Sequence, residues 1–182
     1  GIALGGSGAN RTITLSPVAN ASGTSTITVT VTDGGGVSAT HSFLVTVTAV
    51  NDAPTISAIS DQTTQEDTAT GAIAFTVGDA ETAAGLLTVV ATSSNLDVVA
   101  IAGIALGGSG ANRTITLTPV ANASGTSTVT VTVTDGGGVS ETYSFLVTVA
   151  GANDAPTISA ISDQTTQEDT ATGAIAFTVG DA

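Results

Sequence analysis

The 182-residue chain sets fifteen Asp and Glu side chains against two arginines, Arg11 and Arg113, for a formal net charge of −13. Such a surface attracts cations and repels phosphate backbones and anionic lipid, which argues against nucleic-acid binding. The absence of Cys excludes disulfides, thiolate chemistry and Cys-based zinc sites, the absence of Lys excludes Lys–Asn isopeptide staples, and no apolar run is long enough for membrane insertion of this segment.

Residues 103–182 copy residues 1–80 at a constant offset of 102, and only seven of the 80 positions differ. That period exceeds the roughly 20–50 residues of solenoid repeats and suits a whole β-sandwich. Asn-Asp-Ala-Pro recurs at residues 51–54 and 153–156, where proline breaks a ladder and stiffens a short linker. The expected organisation is therefore the last part of a module at 1–50, one complete module at 51–152, and the first part of another at 153–182.

Within the complete module, period-2 alternation predicts strands in sequence. The first spans residues 55–59. The second carries Ile73, Phe75 and Val77, followed by strands at 86–92 and 97–102. Residues 113–118 then bury Ile115 and Leu117. Residues 126–134 read TSTVTVTVT, with Val129, Val131 and Val133 on one face and threonines on the other. Asp135-Gly-Gly-Gly138 is a tight turn, after which Tyr143, Phe145, Val147 and Val149 line the returning strand. The Gly5-Gly-Ser-Gly8 and Gly107-Gly-Ser-Gly110 runs read as flexible interstrand turns. No Lys-Ser/Thr follows them and no helix begins there, as a phosphate loop requires. Seven short strands and no amphipathic helix predict an all-β sandwich. A half sandwich exposes open edges and a bare apolar face. The two partial modules thus mark the chain as a window onto a longer polymer, or as a subunit completed by its neighbours.

The module carries, in order, Asn-Asp-Ala-Pro, Gln65-Glu66-Asp67-Thr68, Val77-Gly-Asp79, Pro119-Val-Ala-Asn-Ala-Ser-Gly125 and Val133-Thr-Asp-Gly-Gly137. This motif order resembles the cadherin-like, immunoglobulin-like tandem repeats of giant bacterial surface proteins and adhesins. The resemblance implies seven-stranded Greek-key β-sandwiches in tandem at the cell surface or outside the cell. It also implies Ca²⁺ held at module junctions.

The topology so implied puts Glu66 and Asp67 at the module's far end with Asn153, Asp154 and Asp181, and Asp79 and Glu81 at the near end with Asn51 and Asp52. Oxygen-rich anionic sets of this kind suit Ca²⁺, which takes six to eight oxygens. Read without the resemblance, Asp67 begins a turn, Asp52 caps the linker, and all are solvated charges. The chain also departs from the cadherin pattern. Ala49-Val50 and Gly151-Ala152 stand where a cadherin linker usually carries another acid, and residues 78–85 lack an Asp-x-Asp pair.

Little supports catalysis. The one histidine, His41, becomes Tyr143 in the next copy, and no Ser–His–Asp set recurs in both copies. Glu66 and Asp67 are sequence neighbours rather than carboxylates opposed across a cleft. The Asn-x-Ser/Thr sequons arise by chance in so Ser- and Thr-rich a chain. The expected function is a structural spacer or scaffold of a stalk, adhesin or fibre, its partners being adjacent modules or identical chains. The alternatives are a self-assembling filament whose subunits complete one another's strands, or a multivalent module for a cell-surface glycan.

Overall fold

The structure is a computed structural model that describes residues 1–181. Residues 51–152 form two facing four-stranded sheets. The strands of residues 1–50 come first in the chain: β1 (Ile2–Ser7), β2 (Asn10–Leu15), β3 (Gly23–Thr32) and β4 (Ser38–Val47). The central unit follows with β5 (Thr55–Ile56), β6 (Gln62–Gln65), β7 (Ile73–Gly78), β8 (Thr88–Ser93), β9 (Ile104–Ser109), β10 (Asn112–Leu117), β11 (Gly125–Thr134) and β12 (Ser140–Ala150). Two short strands, β13 (Thr157–Ile158) and β14 (Val179–Gly180), close the chain.

One central sheet has the order β5-β7-β10-β9 and the other β6-β12-β11-β8. Only the β6–β12 pair is parallel. Successive strands therefore cross between sheets, from β7 to β8, from β8 to β9 and from β10 to β11, which is a Greek-key sandwich. Its core is made of the apolar positions that alternate along each strand. Ile115, Leu117, Val129, Val131, Val133 and Val147 are all 0% exposed, with Phe75 and Phe145 packed among them. The threonines between the valines of β11 face outward, half-buried or exposed. Ser127 continues the inward row and stays buried because its hydroxyl pairs with Ser93 and accepts the Asn95 N–H.

Three details differ from the sequence expectation. The first strand, expected over 55–59, is only the two-residue β5 of one sheet; the chain then crosses with Ile59 buried at the passage, and β6, which was not expected, joins the other sheet. Asp61 eases that crossing by accepting the Leu146 N–H at 2.8 Å, just before β6 begins to pair with β12. Residues 97–102 are not a strand. The Asn95 carbonyl accepts from both Val98 and Val99, so the backbone turns and buries two consecutive valines, and a 3₁₀ turn follows at Ile101–Gly103. The sequence reading also lacked β9, which includes Gly107 and Gly108, and the turn is confined to Gly110 and Ala111. Gly108 has φ +82°, and a Cβ there would lie 2.3 Å from the Asn112 carbonyl oxygen, so the close strand approach requires glycine.

Candidate functional site

The near end of the central sandwich gathers the linker and two loops. Asn51 donates its side-chain amide to Asp135 Oδ2 at 2.7 Å and to the Asp52 carbonyl at 3.1 Å. The Asp52 N–H donates to Glu81 Oε2 at 3.1 Å. Asp79 closes the β7–β8 loop by accepting the N–H groups of Glu81 and Thr82 on Oδ1. Its other oxygen, Oδ2, is buried without a hydrogen-bond partner. An unpaired buried carboxylate oxygen is costly. Across from it, the Thr82 hydroxyl accepts the Gly136 N–H at 3.2 Å, tying the β7–β8 loop to the β11–β12 turn.

For Asp135 the sequence reasoning favoured a tight turn. Oδ1 does fill that role, accepting the Gly137 and Val139 N–H groups at 2.8 Å each. Oδ2 faces the linker, and Asp135 is 7% exposed. Burial by itself would raise the carboxyl, but hydrogen bonds from the Asn51 side chain and the Val139, Gly137 and Gly138 backbone outweigh it and hold the group below its ordinary value. Asn51 also lies flat on Gly137, where a Cβ would stand 2.7 Å from Asn51 Oδ1. The second glycine of the Asp-Gly-Gly-Gly run was the available signal, since a tight turn does not by itself require so many.

At the far end, Glu66 is buried, its N–H donates to the Ala150 carbonyl at 2.9 Å, and its Oε1 accepts the Ala152 N–H. Asp67 adopts φ +59° and accepts the Asn122 N–H at 3.2 Å. Asn153 donates to the Asp154 carbonyl at 3.0 Å, repeating the local geometry of Asn51 and Asp52. Asp181 lies exposed just past β14. The structure thus joins Glu66 to the linker that carries Asn153 and Asp154, and joins Asn51 and Asp52 to the loops of Glu81 and Asp135. Among the described residues, no three Asp, Glu or His side chains converge closely enough to hold a metal ion.

A cleft of about 220 Å³ separates residues 17–22 and 47–50 from Asp52 and Glu81, and Asn20 lines it. Asn20 is the repeat counterpart of Asn122, the residue that meets Asp67.

The family model for the bacterial Ig domain matches residues 51–148, more than half of the chain. The chain belongs to the bacterial Ig domain family. In fold this bacterial Ig domain is similar to protocadherin gamma B2 extracellular cadherin domains 1–5, at TM-score 0.50 and 16% identity over 76% of this chain and 27% of that one. Further similarity extends to titin domains z1z2 in complex with telethonin (TM-score 0.42, 14% identity, 62% of this chain and 55% of that one). It extends also to domains 4 and 5 of the S-layer protein SbsC (0.39, 17%, 78% and 86%). The chain thus spans about half of the titin structure's length and a quarter of the protocadherin's. Comparison with curated proteins finds no match in sequence. No helix among the described residues is long and apolar enough to cross a membrane.

Proposed function

We propose that this chain is a structural spacer of an extracellular bacterial surface protein, in which near-identical sandwiches follow one another through stiff junctions. The observation that carries the reading is the clamped linker: Asn51 is held by Asp135 and Asp52 by Glu81, so the chain enters the sandwich in a set direction. Membership of the bacterial Ig domain family supports a non-catalytic structural role at the surface. Near-identity of the copies suits a repeated length unit better than a site used once. The ten residues of β11 span roughly 33 Å at the usual strand rise, so each repeat with its linker advances about 40 Å. Small-angle scattering on arrays of one, two and three repeats tests this. Maximum dimension growing linearly by about that increment is the expected result, and growth as the square root of repeat number overturns it.

Calcium at the junction is the second part of the proposal. The residues that would hold it are Glu66, Asp67, Asn153, Asp154 and Asp181 at one junction, and Asn51, Asp52, Asp79 and Glu81 at the other. The unpartnered buried Oδ2 of Asp79 and the cleft lined by Asp52 and Glu81 support it. When bound, Ca²⁺ would neutralise carboxylates that otherwise repel one another across the hinge. Melting of a multi-repeat array in chelator and in millimolar calcium is the direct measurement. A higher melting temperature and straighter arrays in calcium are expected. Identical melting and scattering in both conditions would remove the metal from the proposal and leave the spacer intact.

A further inference from the structure

The two flanks of the central sandwich are built differently. On one, the edge strands are β5, two residues long, and β6, four residues bracketed by Asp61 and Glu66. Short edges and nearby charges are common guards against pairing with a foreign sheet. On the other flank the edges are β8 and β9, six residues each, and the two pack together. Neither contains a charge or a proline. Of the nine carboxylates in residues 51–152, only Asp97 falls within residues 82–112, which build this flank. Leu86, Val90, Leu96, Ile101 and Leu106 are exposed there, Leu86 at 76%. An apolar, unguarded double edge of this kind marks a contact surface.

We propose that β8 pairs with β8 of a second copy, antiparallel across a two-fold axis, so that one sheet runs through both copies. The free backbone groups set the register. The Ser94 N–H donates to the Thr128 carbonyl at 2.9 Å, in step with the β8–β11 pairing. Alternate residues of an antiparallel strand face opposite ways, so Thr88, Val90 and Thr92 bond β11 while Val89, Ala91 and Ser93 turn their N–H and C=O groups outward. A two-fold centred on Ala91 uses all three: Ala91 meets Ala91 of the second copy, and Val89 meets Ser93. Val90 then stands opposite Thr92 on the outer face, in the closer kind of antiparallel pair.

Charge selects the occupant. Acidic copies repel one another at the sandwich ends, where Asp52, Asp79, Glu81, Glu66 and Asp67 lie, and approach with least repulsion along this flank. A basic partner would be drawn to those ends instead. The same edge turned around matches the free donors and acceptors one for one, which makes the contact isologous. Six residues at about 3.3 Å each, across sheets about 10 Å apart, give the flank roughly 300 Å² per copy. A stable complex buries about 800 Å² per partner, so a single contact is weak and reversible. Side by side and antiparallel, two arrays would repeat the contact at every module and sum it. That summation rests on the spacer reading, whereas the pairing itself needs neither the spacer nor a metal.

The test uses the whole chain in sedimentation up to about millimolar concentration, where weak pairing registers. Val90→Lys puts a charge into the contact at an exposed position, and Leu146→Lys puts one on the same sheet's outer face away from the edge. Self-association should weaken roughly tenfold in Val90→Lys with melting unchanged, and should persist in Leu146→Lys. Register is read by oxidation, since the chain has no cysteine of its own. A mixture of Val90→Cys and Thr92→Cys chains should form mixed disulfide dimers roughly tenfold more than a mixture of Thr88→Cys and Val90→Cys chains. An unaltered chain that stays monomeric, a Val90→Lys chain that associates as tightly, or equal mixed linking from both cysteine pairs would overturn the proposal. Growth of the scattering dimension with repeat number tests the spacer separately.

Discussion

Residues 51–79 and 153–181 have the same sequence and different structures. In the central copy they form β5, β6 and the six-residue β7, with Ile59, Phe75 and Val77 buried. In the last copy only two two-residue strands survive, and Ile161, Phe177 and Val179 are exposed. The β5–β7 pairing recurs as β13–β14, with Thr157 opposite Gly180 as Thr55 is opposite Gly78. What disappears is everything that needs another part of the sandwich: β6 needs β12, and the first half of β7 needs β10. Local propensity is the same in both copies, so the difference measures what non-local pairing and burial add.

The first end gives the converse. Its β3–β4 hairpin keeps the full ten-residue register of β11–β12, because a hairpin carries its own partner. It lacks the flanking strands that β6 and β8 supply to β12 and β11, and the part of the opposing sheet that β5 and β7 supply. Tyr143 is accordingly half-buried against the core while His41, at the same hairpin position, is exposed.

Hydrogen exchange on the dilute chain tests this contrast with the largest effect. Amides of Phe75 and Val77 should exchange on the order of 10³-fold more slowly, or slower still, than those of Phe177 and Val179. Equal protection in a monomeric chain would mean that the copies fold alike and break the comparison. Side-chain truncation comes next. Phe75→Ala should cost about 3–5 kcal/mol of stability by denaturant unfolding, whereas Phe177→Ala in the monomer should cost less than about 0.5 kcal/mol.

Turn substitutions follow. Gly137→Ala forces the new Cβ into Asn51 and should visibly lower the melting temperature of the central unit. Gly35→Ala meets nothing closer than Asp33 Oδ1 at 3.4 Å and should leave melting nearly unchanged. The smallest expected effect is on acid stability. The folded pKa of Asp135 lies below its ordinary 3.8, so the carboxylate stabilises the fold above that pH and loses its contribution as pH falls through the lowered folded value. Asp135→Asn should therefore lower stability at neutral pH and flatten the acid limb below about pH 4.

The candidate site was legible in part. Asn51 with Asp52 and Glu81, and Glu66 with the linker ahead of Asn153, followed from assigning alternate loops to opposite ends of a sandwich. Asp135 was hidden because one aspartate serves two purposes, and the turn geometry of Oδ1 accounts for most of the Asp-Gly-Gly-Gly signal. The contact of Oδ2 with Asn51 crosses 84 positions of sequence and leaves only the extra glycine at 137 as a local trace. Likewise Val98 and Val99 read as strand residues by type, and only the Asn95 turn that buries both shows otherwise.

By itself the sequence determined the repeat, the all-β class, the inward row of β11 and the linker positions. Those features reside in composition and in a period of two, which act between neighbours along the chain. Tertiary structure alone decided where the chain crosses between sheets after β5, and that Asp135 holds the linker. Such outcomes depend on partners far away in sequence, and the burial of Phe75 beside the exposure of Phe177 shows that one side chain obeys whichever partner is present.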